Sequence, residues 1–297
     1  MEETQPLPGL SVVVPAYNEE EAIGEVIDQI GLALQGAPFP YEVIAVDDGS
    51  RDQTAEILRR RPVRLLQHGR NKGYGAALKT GILAAEHRHV AIVDGDGTYD
   101  PGDLLKLAGL KQEFDMVVGA RTGKDAKIPW ARRPAKWFLT KLANSLAETR
   151  IPDLNSGLRI IDRQVAEKFF HILPSNFSFT STITMAMLAN GYSVKFVPTN
   201  YRRRKGKSKI RPLQDTVNFF SLVVRTALYF APLKVFLPLS LGLIGLSVFK
   251  MIVIDILLIQ NLTDSTLLLL LAGIQLGMLG LLADLIDKRS PPLEKKK

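Results

Sequence analysis

Asp94 and Asp96 flank a single glycine directly after the apolar run His89–Val93. Two carboxylates at i and i+2, just past a buried strand, can approach one hard cation. Mg²⁺ or Mn²⁺ takes oxygen ligands of this kind and bridges well to a diphosphate. Such a cation offsets the negative charge that develops on a departing nucleoside diphosphate. A bare Asp-x-Asp also describes a solvated turn, so position is what gives this pair weight. Two other apolar runs end as abruptly. Ser11–Pro15 runs into Ala16-Tyr17-Asn18-Glu19, and Tyr41–Val46 into Asp47-Asp48-Gly49-Ser50. An acidic side chain in the second of these can accept hydrogen bonds from a nucleobase N–H or a ribose hydroxyl. The same stretch equally suits an N-cap or Asx-turn before a helix at Thr54–Arg60.

Asn71-Lys72-Gly73-Tyr74-Gly75 superficially suggests a dinucleotide fingerprint. The fit is poor, because Leu78 stands at the last glycine position and no such loop follows the first strand. It reads instead as a glycine loop that lets backbone approach a bound donor, with Asn71, Gly73 and Gly75 as the contact positions. The four histidines, at 68, 87, 89 and 171, show no metal spacing, and no serine–histidine–acid arrangement can be argued. The chain has no cysteine, which excludes disulfide and thiolate chemistry.

The elements that must hold these residues alternate strand and helix. Strands are expected at Ser11–Pro15, Tyr41–Val46, Val63–Gln67, His89–Val93 and Met116–Gly119, with helices at Glu19–Leu34, Thr54–Arg60 and Gly75–Glu86. That spacing predicts a parallel, doubly wound α/β sheet. Ligands bind such sheets beyond the carboxyl ends of the strands, where the three acidic or amide endings converge. Past Gly119 the pattern loosens. A basic helix is expected over Trp130–Glu148, then a short apolar run after Asn155-Ser156-Gly157-Leu158-Arg159, helices at Gln164–Leu173 and Thr182–Asn190, and a strand at Tyr192–Val197.

The 297 residues carry a formal net charge of +8, much of it in Arg202–Arg211 and Lys288–Lys297. Basic clusters beside apolar segments point to anionic lipid head groups. No zinc spacing, helix-turn-helix pattern or aromatic-basic motif supports nucleic-acid binding. The apolar excess is concentrated near 232–286, where about 235–259 and 265–286 are each long enough to cross a bilayer as a helix. Domains follow: 1–211 catalytic, 212–231 an amphipathic juxtamembrane helix, 232–287 a transmembrane hairpin, and 288–297 a basic tail. Gly273 and Gly277 give a GxxxG spacing, which permits close helix contact and packing between subunits of a homo-oligomer. Lys250 and Asp255 are costly in lipid and are expected to pair, face Gln275 or snorkel. Basic residues flank both outer sides of the hairpin, which places the catalytic part and the tail together in the cytoplasm. Met1–Pro8 lacks the basic and apolar regions of a signal peptide, in keeping with that placement.

Six stretches, in order, carry a family resemblance. VVVPAYNEE (Val12–Glu20), VDDGSRD (Val46–Asp52), NKGYGA (Asn71–Ala76) and VDGDGTYDP (Val93–Pro101) resemble family 2 glycosyltransferases of the GT-A fold, a Rossmann-like mixed sheet. NSGLRIIDR (Asn155–Arg163) and RRKGKSKI (Arg203–Ile210), followed by two apolar spans, are similar to the dolichyl-phosphate mannose synthase and polyprenyl-phosphate glycosyltransferase branch. The resemblance implies nucleotide-sugar binding at Pro15, Tyr17, Asn18, Glu19, Asp47 and Asp48. It implies a metal and diphosphate pair at Asp94 and Asp96, and an acceptor-phosphate loop at Asn155, Ser156 and Arg159, with Arg159 counted as catalytic. Arg132, Arg133, Arg203, Lys205, Ser208 and Lys209 are further candidates for the acceptor phosphate, and Gly206–Lys209 resembles a loop that closes over the site. Two positions depart from the branch pattern. Thr98 stands where a further metal-ligating Gln is common, and Ser181-Thr182 stand where an acidic residue is expected.

The implied reaction is hexose transfer from a GDP- or UDP-sugar to a dolichyl or undecaprenyl phosphate, with inversion, at the cytoplasmic membrane face. A phosphate monoester is already anionic near neutral pH, its second pKa being about 6, so it can attack without a strong general base. The alternatives are a family 2 enzyme acting on a hydroxyl, for which the processive Gln-x-x-Arg-Trp motif is absent, and a non-catalytic membrane-tethered nucleotide-sugar-binding protein.

Overall fold

The computed structural model describes residues 9–121, 151–176, 178–200, 228 and 232–289. The chain divides into two compact units, one of Met1–Thr140 with Thr149–Phe219, the other of Lys141–Glu148 with Phe220–Lys297. The helix expected over 130–148, the basic loop at 202–209, most of the juxtamembrane helix and the tail lie outside the described residues.

In the first unit the chain runs β1 (Leu10–Ala16), α1 (Ile23–Leu34), β2 (Tyr41–Asp47), α2 (Thr54–Arg59), β3 (Arg64–Gln67), α3 (Tyr74–Ala84), β4 (His89–Ile92), α4 (Asp103–Leu110) and β5 (Met116–Ala120). Then follow β6 (Arg159–Asp162), α5 (Arg163–Lys168), α6 (Phe179–Ala189) and β7 (Val194–Pro198). β1, apolar except for Ser11, is buried along its whole length because both faces are covered, as in parallel sheets. α1 turns Ile23, Val26, Ile27, Ile30 and Leu34 to the core, a helical stripe. Each such side chain contributes on the order of 1.5–3 kcal/mol when fully buried. α3 lies close on the sheet because Gly81 has no Cβ to strike Val13.

The seven strands are ordered β3-β2-β1-β4-β6-β5-β7. The sheet is the mixed one that the family resemblance implies, where strand-helix spacing alone predicts a parallel one. β6 runs antiparallel between β4 and β5, pairing Arg159 with Ile92 and with Val118. The four-residue run is too short to announce itself as a strand. It enters the sheet at the edge where the parallel strands end and runs back, and this brings Asn155–Leu158 to that edge. Pro15, with no N–H to donate, falls beyond Val13–Ile92, where the β1–β4 ladder has already ended.

The second unit is a helical hairpin. α7 (Pro232–Lys250) continues as a π-helical turn (Met251–Ile259), and α8 (Asp264–Arg289) returns beside it. Pro232–Leu258 and Asp264–Ile286 have mean hydropathies of 2.3 and 2.2 and are long enough to cross a membrane. Only 11% and 17% of these stretches is buried, unlike the core helix of a soluble domain. The three expectations for Lys250 and Asp255 resolve to the first. Lys250 Nζ donates to Asp255 Oδ1 at 3.0 Å and to Thr263 and Thr266 Oγ1 at 2.6 and 2.7 Å. Gly273 and Gly277 face α7 of the same hairpin, where a Cβ would lie 2.7 Å from Ile244 and 2.8 Å from Ser240 Oγ respectively. The close helix contact that their GxxxG spacing permits is made within the chain.

Candidate active site

β1, β2 and β4 lie side by side and their carboxyl ends share one edge. Ala16 pairs with Asp47, Asp48 N donates to Ala16 O at 2.8 Å, and Val93 N donates to Val13 O at 3.1 Å. A Cβ on Gly95 would lie 3.0 Å from Pro15 O, so the 94–96 turn rests on the end of β1. The three endings picked out by their residue types therefore do converge.

The first two endings are laced together. Asn18 sits at φ 50°, in the left-handed region that Asn tolerates, and its Oδ1 accepts from Arg51 N at 2.8 Å. Asn18 N donates to Ser50 Oγ at 2.9 Å and Glu19 N to Thr54 Oγ1 at 2.8 Å. Tyr17, Asn18 and Glu19 are partly exposed, while Pro15 is buried in β1.

Asp47 and Asp48 are 2% and 3% exposed, and both are engaged by the protein. Asp47 accepts from Ser50 N at 3.0 Å, the turn alternative, and from Gln67 Nε2 at 3.1 Å. Asp48 Oδ1 meets the His68 ring at 2.6 Å and accepts from Lys72 N at 2.9 Å, while Oδ2 accepts from Gly73 N at 2.8 Å. Asp48 is thus the post on which the 71–75 loop is hung. The space left by Gly73 and Gly75 is taken by the backbone of Pro174–Asn176, rather than by the room for a donor that the sequence suggested. Gly73, at φ 101°, also needs its left-handed freedom. Asn71 is exposed.

At the β4 end, Asp94 Oδ1 accepts the Tyr74 hydroxyl at 2.7 Å. Asp96 Oδ1 accepts from Thr98 N at 3.1 Å and from Thr98 Oγ1 at 2.6 Å. Thr98, at the position where the branch often has Gln, therefore fixes Asp96. Burial first, and then the neighbouring Asp96 carboxylate, pushes the Asp94 carboxyl up to about 6, against the Tyr74 hydrogen bond and the positive fields of Arg121 and Arg159. Burial and the Asp94 charge raise the Tyr74 phenol well above its ordinary range, so it stays a donor.

The donor set suits a divalent cation. Two hard carboxylates stand at one strand end, and among the described residues no third acidic or imidazole group joins them. One or two carboxylates completed by substrate phosphates and water is the usual Mg²⁺ arrangement.

The acceptor loop departs from expectation. Asn155 is exposed, but Ser156 is 0% exposed and its hydroxyl donates to Gly119 O. Arg159 is also 0% exposed. It donates to Thr180 O at 2.8 Å, to Thr184 Oγ1 at 3.0 Å and to Ser156 O, and its Nε has no acceptor among the described residues. The sequence makes Arg159 a surface contact for phosphate; the fold encloses it because β6 turns it inward against α6. It acts on Asp94 through its field. Ser181 and Thr182, in place of the family's acidic residue, bond back to O of Ser178, the residue that precedes α6. Arg132, Arg133, Arg203, Lys205, Ser208 and Lys209 lie outside the described residues.

Three residues that sequence reasoning left without a role emerge. Tyr74 and Tyr99 lie inside the quoted motifs, yet their partners are distant in sequence. Tyr99 OH accepts from Gly157 N at 2.7 Å. Arg121, at the end of β5, grips Asp153 through Nε at 2.6 Å and Nη2 at 2.9 Å. Burial alone would raise the Asp153 carboxyl, but these bonds outweigh it and hold it low.

Comparison with known proteins bears on the family and the fold. The glycosyl transferase family 2 model matches residues 11–170, and the GtrB C-terminal hairpin model matches residues 231–288. A dolichyl-phosphate hexose transferase of Haloferax volcanii is 32% identical over 74% of this chain and 94% of its own length. A dodecaprenyl-phosphate galacturonate synthase of Rhizobium johnstonii is 25% identical over 94% of this chain and 88% of its own. A glucosyl-3-phosphoglycerate synthase of Mycobacterium tuberculosis, crystallised with Mn²⁺ and UDP, shares the fold at a TM-score of 0.59 and 21% identity, over 74% of this chain and 79% of that one. With the family matched over more than half its length and a GT-A-like sheet built around Asp94 and Asp96, the chain belongs to glycosyl transferase family 2 and is a glycosyltransferase.

Proposed function

We propose that this glycosyltransferase moves a hexose from a GDP- or UDP-sugar onto a polyprenyl phosphate, with inversion, at the cytoplasmic face of a membrane. The observation that carries the reading is the union, in one chain, of an Asp94/Asp96 pair past β4 with a hairpin of two membrane-length apolar helices. Relatives named for dolichyl-phosphate and dodecaprenyl-phosphate transfer add support.

Asp94 and Asp96 would hold Mg²⁺ or Mn²⁺, which when bound neutralises charge on the leaving diphosphate. Tyr74 and Thr98 hold those carboxylates in place. The 16–19 and 47–54 loops, already tied to each other, form a rigid wall for the nucleotide, with Tyr17 and Glu19 partly open to it. Asn155 and the basic residues Arg132, Arg133, Arg203, Lys205 and Lys209 are assigned to the acceptor phosphate, with Ser208 beside them, and Arg159 contributes its charge from within. A phosphate oxygen forms the new bond to the anomeric carbon while the diphosphate leaves with the old bond's electrons. The anionic phosphate needs no general base. The domain boundaries at 211, 231 and 287 and the cytoplasmic placement of both ends belong to the same reading.

The test uses purified full chain in detergent with dolichyl and undecaprenyl phosphates, labelled GDP- and UDP-hexoses, and Mn²⁺ or Mg²⁺ added or chelated. A metal-dependent lipid-linked sugar is expected. Transfer only to hydroxyl acceptors, or no glycolipid in any arm, refutes it.

A further inference from the structure

Tyr74 stands at the first position of α3, yet its hydroxyl reaches Asp94 at the end of β4. Its backbone is anchored before the side chain departs. Asp48 accepts from Lys72 N and Gly73 N just ahead of it, and Ala76 N donates to Ser175 O at 3.1 Å just after. The phenol therefore approaches the carboxylate from a fixed base.

The Asp94 carboxyl group also meets backbone. Any Cβ on Gly157 would overlap both Asp94 oxygens, so the Gly157 backbone lies directly against the carboxyl group. That backbone is held by Tyr99, whose hydroxyl accepts Gly157 N at 2.7 Å and Ser156 Oγ at 3.3 Å. Tyr99 is 3% exposed and Ser156 0%, so water does not compete for these bonds. The χ2 torsion of a carboxylate is intrinsically broad, so neighbouring groups must set its direction. Here one hydroxyl bonds Oδ1 directly, and a second holds the Gly157 backbone that packs against the carboxyl group.

We infer that Tyr74 and Tyr99 are positioning residues that fix the direction in which Asp94 presents its carboxylate to a divalent cation. The inference rests on the reading of Asp94 as a cation ligand. The tyrosine rings fill space that phenylalanine would also fill, so the hydroxyls carry the role. Loss of a partner that orients a metal ligand typically weakens metal binding about 10–100-fold.

The test needs no turnover. Free Mn²⁺ is followed by electron paramagnetic resonance while the purified full chain is titrated in detergent. Tyr74→Phe is expected to bind Mn²⁺ about 10–100-fold more weakly. Tyr99→Phe, acting through Gly157, is expected to show a smaller loss. In turnover assays the variants should require more Mn²⁺ while the KM for the lipid acceptor stays at the wild-type value, a split that general destabilisation does not produce. Should Tyr74→Phe fail to fold, Gly157→Ala presses on the Asp94 carboxyl group and must weaken Mn²⁺ binding too. Wild-type Mn²⁺ affinity in Tyr74→Phe, or in Gly157→Ala, overturns the inference, as does an Asp94→Asn variant that binds Mn²⁺ as tightly as the wild type. A wild-type chain that binds Mn²⁺ through Asp94 but glycosylates no lipid sinks the proposed acceptor and leaves the tyrosine roles standing.

Discussion

Replacing Asp94 by Asn should make the metal-free protein more stable while removing its activity. Asp94 is pushed from an ordinary 3.8 to about 6, first by burial and then by Asp96. A raised carboxyl pKa is a folding penalty for the charged form. The stabilising contribution of the group is complete below the unfolded value and is lost as pH rises through the folded one. A shift of about 2 units costs about 3 kcal/mol at 1.36 kcal/mol per unit. Asn keeps the shape and can still accept the Tyr74 hydroxyl, and the rise to about 6 is already net of that bond's pull on the charged form. The gain expected at about pH 8 is about 3 kcal/mol, or a melting shift of roughly 6–12 °C for a domain of this size. The gain should shrink to nothing near pH 4, where both forms are neutral. Circular dichroism melts of both proteins across that range, with chelator present, measure it. Mn²⁺ should raise the melting temperature of the wild type only, because only it gains by mass action. A variant less stable than wild type at about pH 8, or a gap that does not change with pH, would refute the electrostatic argument.

Other consequences test the scaffold. Asp48→Ala strips acceptors from His68, Lys72 N and Gly73 N, and should cost about 2–4 kcal/mol in chemical denaturation, with donor affinity lost before the fold is. Ser240→Cys with Gly277→Cys in this cysteine-free chain should form an intramolecular disulfide, since a Cβ at 277 lies 3.6 Å from that of Ser240; crosslinked dimers in place of it would show that the glycines serve another helix. Lys250→Met alone leaves Asp255 without its cation and should lower the yield of membrane-inserted protein, and adding Asp255→Leu should restore it. Chelation should abolish transfer and Mn²⁺ restore it, unless Asp96 is replaced by Ala.

The positions of Asp94 and Asp96 were legible because the signal is local. A β-branched run that stops at an acidic turn marks the ligand edge of a sheet within a few residues, and the same holds for Asn18 and Asp47. The hairpin was legible for a similar reason: two long apolar stretches with a short connection admit few arrangements. Helix and strand positions in the first 120 residues agree to within a few residues, except α4, because period and burial are properties of neighbours along the chain.

What tertiary structure alone decided are the pairings between distant segments. Nothing near Arg159 in sequence reveals that β6 will slip between β4 and β5 and carry its guanidinium inward to Thr180 and Thr184. Nothing near Gly73 and Gly75 reveals that residues 174–176 will occupy the space beside them. The partners of Tyr74, Asp48 and Lys250 are chosen the same way. Amino-acid type states which bonds a side chain can make; the order of strands in the sheet and the register of the hairpin decide which are made, because a buried polar group must be satisfied by whatever the fold brings within reach.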